Sequence, residues 1–251
     1  MKPATSLQRV LALLEVFSES RLEWTPEDLM KELGYSRPTL YRYLKILKDA
    51  GFLMSTRNAA VTLGPKVVEL DYLTRRSDPL VISALPHLKQ LTERHSCTAM
   101  VLRWYGNKIL CVASESSARN PVSSYPRGRP MPLGRGAIAR SIMAFLPKRQ
   151  LVPLIERNLA DLRAVGLGAT VQDVQASLKK LRKAGVAVAY GEVTPGAVGI
   201  AAPVFDDRRH PIASVCLTIA GNLVTGAQID QLGAEVRQVA SQISAVSSEN
   251  P

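Results

Sequence analysis

The chain has 251 residues, 46% hydrophobic and 21% charged, with a formal net charge of +11; this length suits one large or two modest domains, and the composition supports a packed core and argues against wholesale disorder. No apolar run approaches the ~20 residues of a membrane helix, the segment after Arg9 is broken by Glu15 and lacks the cleavage site of a signal peptide, and Cys97, Cys111 and Cys216 offer neither a paired framework nor metal-ligand spacing. The expectation is a cytoplasmic protein with no membrane partner, structural disulfide, metal or cofactor. Residues 1–77 hold 12 Lys+Arg against 9 Asp+Glu, and the remainder 20 against 12, so bulk charge does not locate a polyanion site and local pattern must.

In chain order, Leu7–Ser18 reads as an amphipathic helix with Val10, Leu11, Leu14 and Phe17 at helical spacing. Thr25-Pro26-Glu27-Asp28 is a helix start: Thr25 caps, Pro26 suits the first position and Asp28 can complete a capping box. This helix stops at Gly34, and Ser36 caps a second one that runs through Ala50 to Gly51, with Pro38 in its first turn. Two helices joined by a tight Gly turn are the helix-turn-helix signature. Phe52–Thr56 and Ala59–Leu63 then form a small hairpin around Arg57-Asn58, with Asn58 favouring the turn. Helix, helix, helix, hairpin is a winged helix-turn-helix.

Pro65–Arg76 reads as a linker helix, Ser77-Asp78-Pro79 breaks it, and Pro79 begins a helix to about His95 with Leu85, Leu88 and Leu91 inward. The period then switches to two. Thr98–Tyr105 and Lys108–Ser114 flank Gly106-Asn107 as a hairpin. Residues 115–133 read as a long loop or irregular strand. Helices follow at Gly136–Phe145, Lys148–Asn158 and from the Thr170 cap to Ala184. Val186–Tyr190, Gly199–Phe205 and Ile212–Ile219 are strands, and Gly226–Val246 is a long last helix. The predicted fold is α+β: a winged helix-turn-helix over 1–64, a linker over 65–78, and an antiparallel-sheet domain over 79–251.

In the helix Arg37–Ala50, Leu40, Leu44 and Leu47 form the buried stripe. The other side carries Arg37, Tyr41, Arg42, Lys45 and Lys48, with no acid before Asp49. A B-DNA major groove admits one α-helix, and residues near its amino end read base edges. Arg37, Pro38, Thr39, Tyr41 and Arg42 occupy that region. Arg42 is the candidate for bidentate guanine contact, Thr39 or Tyr41 for a base edge or phosphate, Lys45 and Lys48 for phosphates, and Arg57 at the wing tip for the backbone or minor groove. Basic residues on an isolated helix usually just solvate it; here cap, turn, preceding helix and hairpin agree on DNA binding. Tyr43 is expected against the core.

SLQRVLALLEVF (6–17), RPTLYRYLKILKDAGFL (37–53), LGPKVVEL (63–70), PLGRGAIARSIMAFLP (132–147) and GIAAPVFDD (199–207) together resemble the isocitrate-lyase-regulator (IclR) family of bacterial transcription factors, in order and over nearly the whole chain. The resemblance implies a carboxyl-terminal effector-binding domain related to GAF and profilin-like folds, assembly as dimers or dimers of dimers, repression or activation, and effectors that are small organic or aromatic acids. The chain departs from the family at Pro38 and Val61, and its wing is short. The Gly-rich turn Pro132–Arg140 runs into a helix, and helix amino termini attract anions. By resemblance, the amides of Gly136, Ala137 and Ile138 line the effector pocket, with Arg135 a local addition that can pair with a carboxylate and Arg140 a structural contact. Cys216 and Thr218 alternate on one strand face and match polar effector contacts of the family, although Cys216 is equally read as a small core residue. Ala189 and Gly199 stand where some relatives carry polar ligands, which implies a different or less polar effector. Tyr125 and Tyr190 are further wall candidates.

Enzymatic readings are weak. Gly134–Ser141 has the outline of a phosphate loop, but Ala139 and Arg140 replace its Gly and Lys. His87, His95 and His210 are scattered, and Glu192, Asp206 and Asp207 fall at turns, where carboxylates mostly serve the backbone. The alternative function is a small-molecule-binding or enzymatic domain whose helical head mediates protein contacts.

Overall fold

The computed structural model describes residues 5–117 and 125–249, with side chains to 245. The chain divides into two compact units, Met1–Ser77 and Asp78–Pro251.

The first unit opens with α1 (Ser6–Glu15), held by a reciprocal Thr5–Gln8 capping box. Its anchor is Leu13, fully buried; of the predicted stripe Val10, Leu14 and Phe17 pack against the same core, while Leu11 is 58% exposed because the core reaches α1 from the Leu13 side. In α2 (Pro26–Leu33), Thr25 Oγ1 accepts the Asp28 amide at 3.1 Å. The box stays half-made, since the Asp28 carboxylate turns instead to the Arg21 guanidinium. Gly34, at φ +65°, ends the helix in the left-handed conformation that glycine tolerates. In α3 (Arg37–Asp49), Ser36 occupies the cap position without accepting a backbone amide: its hydroxyl donates to Thr39 Oγ1 at 3.0 Å. Pro38 removes one amide that would need a partner there.

The wing is β1 (Leu53–Ser55) and β2 (Val61–Leu63), paired Leu53↔Leu63 to Ser55↔Val61. Both strands are shorter than expected, and Ala59, not Asn58, takes the positive φ of the turn, +59°. Trp24 and Val61 exchange backbone hydrogen bonds at 3.0 and 2.7 Å, tying the segment before α2 to the wing. Leu13, Trp24, Leu29, Leu40, Tyr43, Leu44, Leu47, Leu53 and Val61 form one core. Then α4 (Pro65–Ser77) has no buried residue and leaves Val68, Tyr72 and Leu73 more than half exposed.

The second unit is a six-stranded antiparallel sheet in the order β5-β4-β3-β8-β7-β6. The strands are β3 (Thr98–Trp104), β4 (Ile109–Ser116), β5 (Pro130–Met131), β6 (Ala187–Tyr190), β7 (Ala197–Phe205) and β8 (Pro211–Ala220). The expected loop 115–133 contains β5, and its residues 118–124 lie outside the described ones. One face of the sheet packs on α5 (Pro79–Arg94) and α10 (Gly226–Glu249). The other packs on α6 (Ala137–Met143), α7 (Lys148–Arg157), α8 (Leu159–Ala164) and α9 (Val171–Ala184).

Strand alternation decides which side chains go where. From β8, Val215, Leu217 and Ile219 join the α5–α10 side, and Cys216 joins the α6–α9 side. Both faces are covered, so β7 and β8 read as nearly continuous apolar runs and blur the period-two signal. On α5 the inward residues are Leu80, Val81, Ala84, Leu88 and Leu91; Leu85 points out at 38% exposure. Asp78 Oδ1 caps α5 by accepting the Leu80 amide at 3.0 Å, and its Oδ2 takes Arg103 Nη1 at 2.6 Å. The helix α8 was not anticipated; Asn158 separates it from α7, so two short helices read as one followed by a loop.

Candidate functional sites

The buried arc of α3 is Leu40, Tyr43, Leu44 and Leu47. Its outward arc carries Arg37, Pro38, Tyr41, Arg42 and Lys45, all exposed, with Thr39 half-buried at its edge. The helical period thus separates an apolar side from a cationic one. Tyr43 is 3% exposed, and its ring supports the basic side: the Arg42 guanidinium lies 5.3 Å from the ring centroid. The Tyr43 hydroxyl is held below the ordinary tyrosine range, first by a hydrogen bond with Ser6 and further by Arg42. Arg37 sits 5.6 Å from the Tyr41 ring, so two arginines are braced by aromatic neighbours before any partner arrives. Lys48 is not a loose cation, because its Nζ donates to Ser55 Oγ of β1 at 2.7 Å; it joins α3 to the wing. Arg57 stands exposed at the wing tip.

In the second unit, a partly open pocket of about 50 Å³ lies beside α6 and the sheet. Gly136, Ala137 and Ile138 line it from the turn into α6, Met100, Cys216 and Thr218 from β3 and β8, and Ala189 and Gly199 from β6 and β7. Gly136 needs to be glycine: φ is +89°, and a Cβ would stand 2.8 Å from Val193 Cγ2. Five of the six effector candidates therefore converge. The sixth, Arg135, is exposed and outside the lining. Tyr125 is in the wall, whereas Tyr190 is 63% exposed and outside it.

Cys216 is a core residue, 2% exposed, that also forms part of the wall. Burial pushes its thiol up to about 12, with only partial relief from the Thr218 hydrogen bond. Cys97 and Cys111 are pushed up to about 12 and about 11, again chiefly by burial. Protonated, buried thiols are poor nucleophiles and poor metal ligands. Among the described residues no group of three or more His, Cys, Asp or Glu is placed to hold a metal.

The feature that the sequence did not reveal is Glu192. It stands in the turn between β6 and β7 and lines the pocket. Its Oε2 accepts the Gly136 amide at 2.8 Å, and Arg140 Nη2 lies 2.6 Å from each of its oxygens. Arg140 also reaches the Val188 carbonyl at 3.4 Å, which confirms its structural part. Turn position suggested backbone service for Glu192, and only the Gly136 contact is of that kind. The signal available was Arg140 itself: an arginine in an otherwise apolar helix stretch must find an acid.

His95 Nε2 and Glu235 Oε2 stand 2.8 Å apart, and His210 lies 3.4 Å from Asp206; neither pair borders this pocket. Among the described residues no helix is long and apolar enough to cross a membrane.

Comparison with known proteins agrees with this layout. Residues 6–56 match the IclR helix-turn-helix domain, and residues 72–245 match the bacterial transcriptional regulator IclR C-terminal domain. The chain is 25% identical to the HTH-type transcriptional regulator KipR of Bacillus subtilis over 93% of each protein. It is 26% identical to the Pca regulon regulatory protein of Pseudomonas putida over 90% of this chain and 78% of that one. An IclR transcriptional regulator from Silicibacter sp. TM1040 superposes with a TM-score of 0.81 at 21% identity, over 98% of both chains. An IclR homologue from Microbacterium hydrocarbonoxydans, solved with 4-hydroxybenzoate, superposes at 0.76 and 22%, over 97% of this chain and 99% of that one. These relatives are regulators rather than enzymes, and the protein is a transcriptional regulator with a helix-turn-helix and an effector domain: the chain belongs to the IclR family.

Proposed function

We propose that two copies of this chain read the two halves of an imperfect palindromic operator and that a small organic or aromatic acid alters that grip. The observation that carries the reading is the cationic arc of α3, exposed and braced over Tyr43 in a unit separate from the pocket. Arg37, Pro38, Thr39, Tyr41 and Arg42 serve as base-edge and near-edge contacts, Lys45 and Arg57 as phosphate contacts, and Lys48 through the wing it holds. The exposed apolar residues of α4, with Leu7 and Leu11 on α1, supply surface for a second copy; apolar patches of this kind mark interaction sites. Reading DNA places the protein in the cytoplasm. The domain limits proposed are 1–64, 65–78 and 79–251.

In the pocket, Ala137 and Ile138 offer amides, Thr218 a hydroxyl, and Met100, Met131, Ala189 and Cys216 an apolar bed. The related structure solved with 4-hydroxybenzoate supports an aromatic acid. A ligand that binds one conformational state better shifts operator affinity by its differential binding energy, typically ~1–3 kcal/mol. The test is a mobility-shift assay on DNA flanking the gene, with and without benzoate-type acids. Equal retardation of that DNA and of scrambled DNA would count against operator reading, and indifference to every acid would count against the effector class.

A further inference from the structure

Among the described residues, the pocket wall holds one charged side chain, and it is an acid. Glu192 is only 13% exposed, and the arginine that neutralises it, Arg140, is 9% exposed. Both carboxylate oxygens are engaged, by Arg140 Nη2 and by the Gly136 amide. The acid and base therefore close on each other and, among the described residues, leave no cation in the wall over for a ligand. Arg129 and Arg135 do not change this balance. Arg129 lies over the Tyr125 ring at 4.7 Å and Arg135 is exposed, and neither lines the pocket. Met100, Met131, Ala137, Ala189, Val193 and Ala197 make most of the remaining wall apolar.

We propose that Glu192 sets the charge of the ligand: the pocket admits a body carrying at most one negative charge and rejects a dianion of the same shape. The proposal rests on the small-molecule reading above and narrows it. A first carboxylate can still meet the amides of Ala137 and Ile138 or the Thr218 hydroxyl. A second one has to give up its water against a largely apolar wall in which, among the described residues, the nearby buried cation, Arg140, is already taken by Glu192. Burial without a partner opposes it.

The experiment compares benzamide, benzoate and terephthalate, one ring with charges of zero, one and two, by titration calorimetry on the full-length chain and on Glu192→Gln. In the natural chain benzoate or benzamide binds at least about tenfold more tightly than terephthalate. In the variant Arg140 keeps an uncompensated charge, and that ratio collapses by about tenfold or more. A Glu192 that only held the turn in place would weaken all three compounds together and leave the ratio unchanged, which overturns the proposal. So does terephthalate binding within about threefold of the better mono-substituted ring in the natural chain. If Glu192→Gln does not fold, the paired variant Glu192→Gln with Arg140→Gln keeps hydrogen-bonding amides on both sides; a narrower gap between benzoate and terephthalate there supports the proposal, and an unchanged gap overturns it. Benzamide binding without benzoate would end the acid reading while the charge limit stands. Terephthalate alone binding would end the charge limit while the acid reading stands. Binding by none of the three would end both.

Discussion

Arg42→Ala and Lys45→Ala should fail differently on DNA. Both side chains are exposed on the outward arc of α3, and no ion pair engages either among the described residues, so the folded chain loses little. Arg42 gives up its approach to the Tyr43 ring and hydroxyl, worth at most ~1 kcal/mol. On operator DNA, an arginine bidentate to guanine contributes ~1–3 kcal/mol per contact, and loss of a lysine on a phosphate weakens all sequences alike and reduces the salt slope by about one. Two copies on a palindrome double each figure, so Arg42→Ala costs ~2–6 kcal/mol per dimer and removes discrimination between specific and scrambled DNA. Lys45→Ala lowers both affinities in parallel and flattens the slope by about two. Fluorescence anisotropy at three salt concentrations separates the outcomes, with thermal melts confirming the fold. If Arg42→Ala kept its preference for the specific sequence, the assignment of Arg42 to a base edge would be wrong; if Lys45→Ala kept the full salt slope, α3 would not lie along the phosphates as argued.

Gly136→Ala should damage the pocket beyond its size. The added Cβ meets Val193 Cγ2 at 2.8 Å with φ at +89°, a strain of ~1–3 kcal/mol, so a lower melting temperature together with at least about tenfold weaker benzoate binding is expected, and an unaltered titration would refute the close approach. The thiols should be silent in the native chain at pH 8 toward a disulfide reagent and all three should react after unfolding, since burial raises them to about 11 or 12. Because these folded-state values lie above the ordinary 9.0, the stability linked to the thiols is fully present below about pH 9 and is lost as pH rises toward 12; Cys216→Ala should therefore show a shallower alkaline decline in melting temperature than the natural chain, and parallel declines would contradict it.

Elements governed by local chemistry were legible. Thr25-Pro26 with Gly34 bracketed α2, Thr170 and Gly185 bracketed α9, and Gly106-Asn107 marked the β3–β4 turn, since caps and turns are decided within a few residues. What misled was anything decided by distant neighbours. Helical spacing allowed Leu11 to face inward, and Leu13 did so instead; it allowed Leu85, and Ala84 took the place. In each case several positions on one helix were apolar enough, and the choice belonged to the surface that the helix meets. Ser36 had the chemistry of a cap, yet its hydroxyl found Thr39, a contact one turn away that competes with backbone capping.

The pocket shows the same division. Gly136, Ala137 and Ile138 could be placed because a Gly-rich turn into a helix is a local pattern, and Cys216 and Thr218 because alternation on a strand is. Arg135 belongs to the same motif, but its side chain is exposed and outside the lining, a choice that the motif alone does not make. Glu192 lies 52 residues from Arg140 in sequence and no spacing rule joins them. Nothing local distinguished it from the other turn carboxylates. The constraint that does join them is electrostatic: an arginine buried among Ala139, Ser141 and Ile142 costs too much to leave unpaired, so one of the chain's acids had to come to it. Sequence thus required the pair but not the partner. The partner came from the β6–β7 turn, which the fold brings against α6, and that same approach put a carboxylate in the pocket wall, where a scaffold requirement became a property of the site.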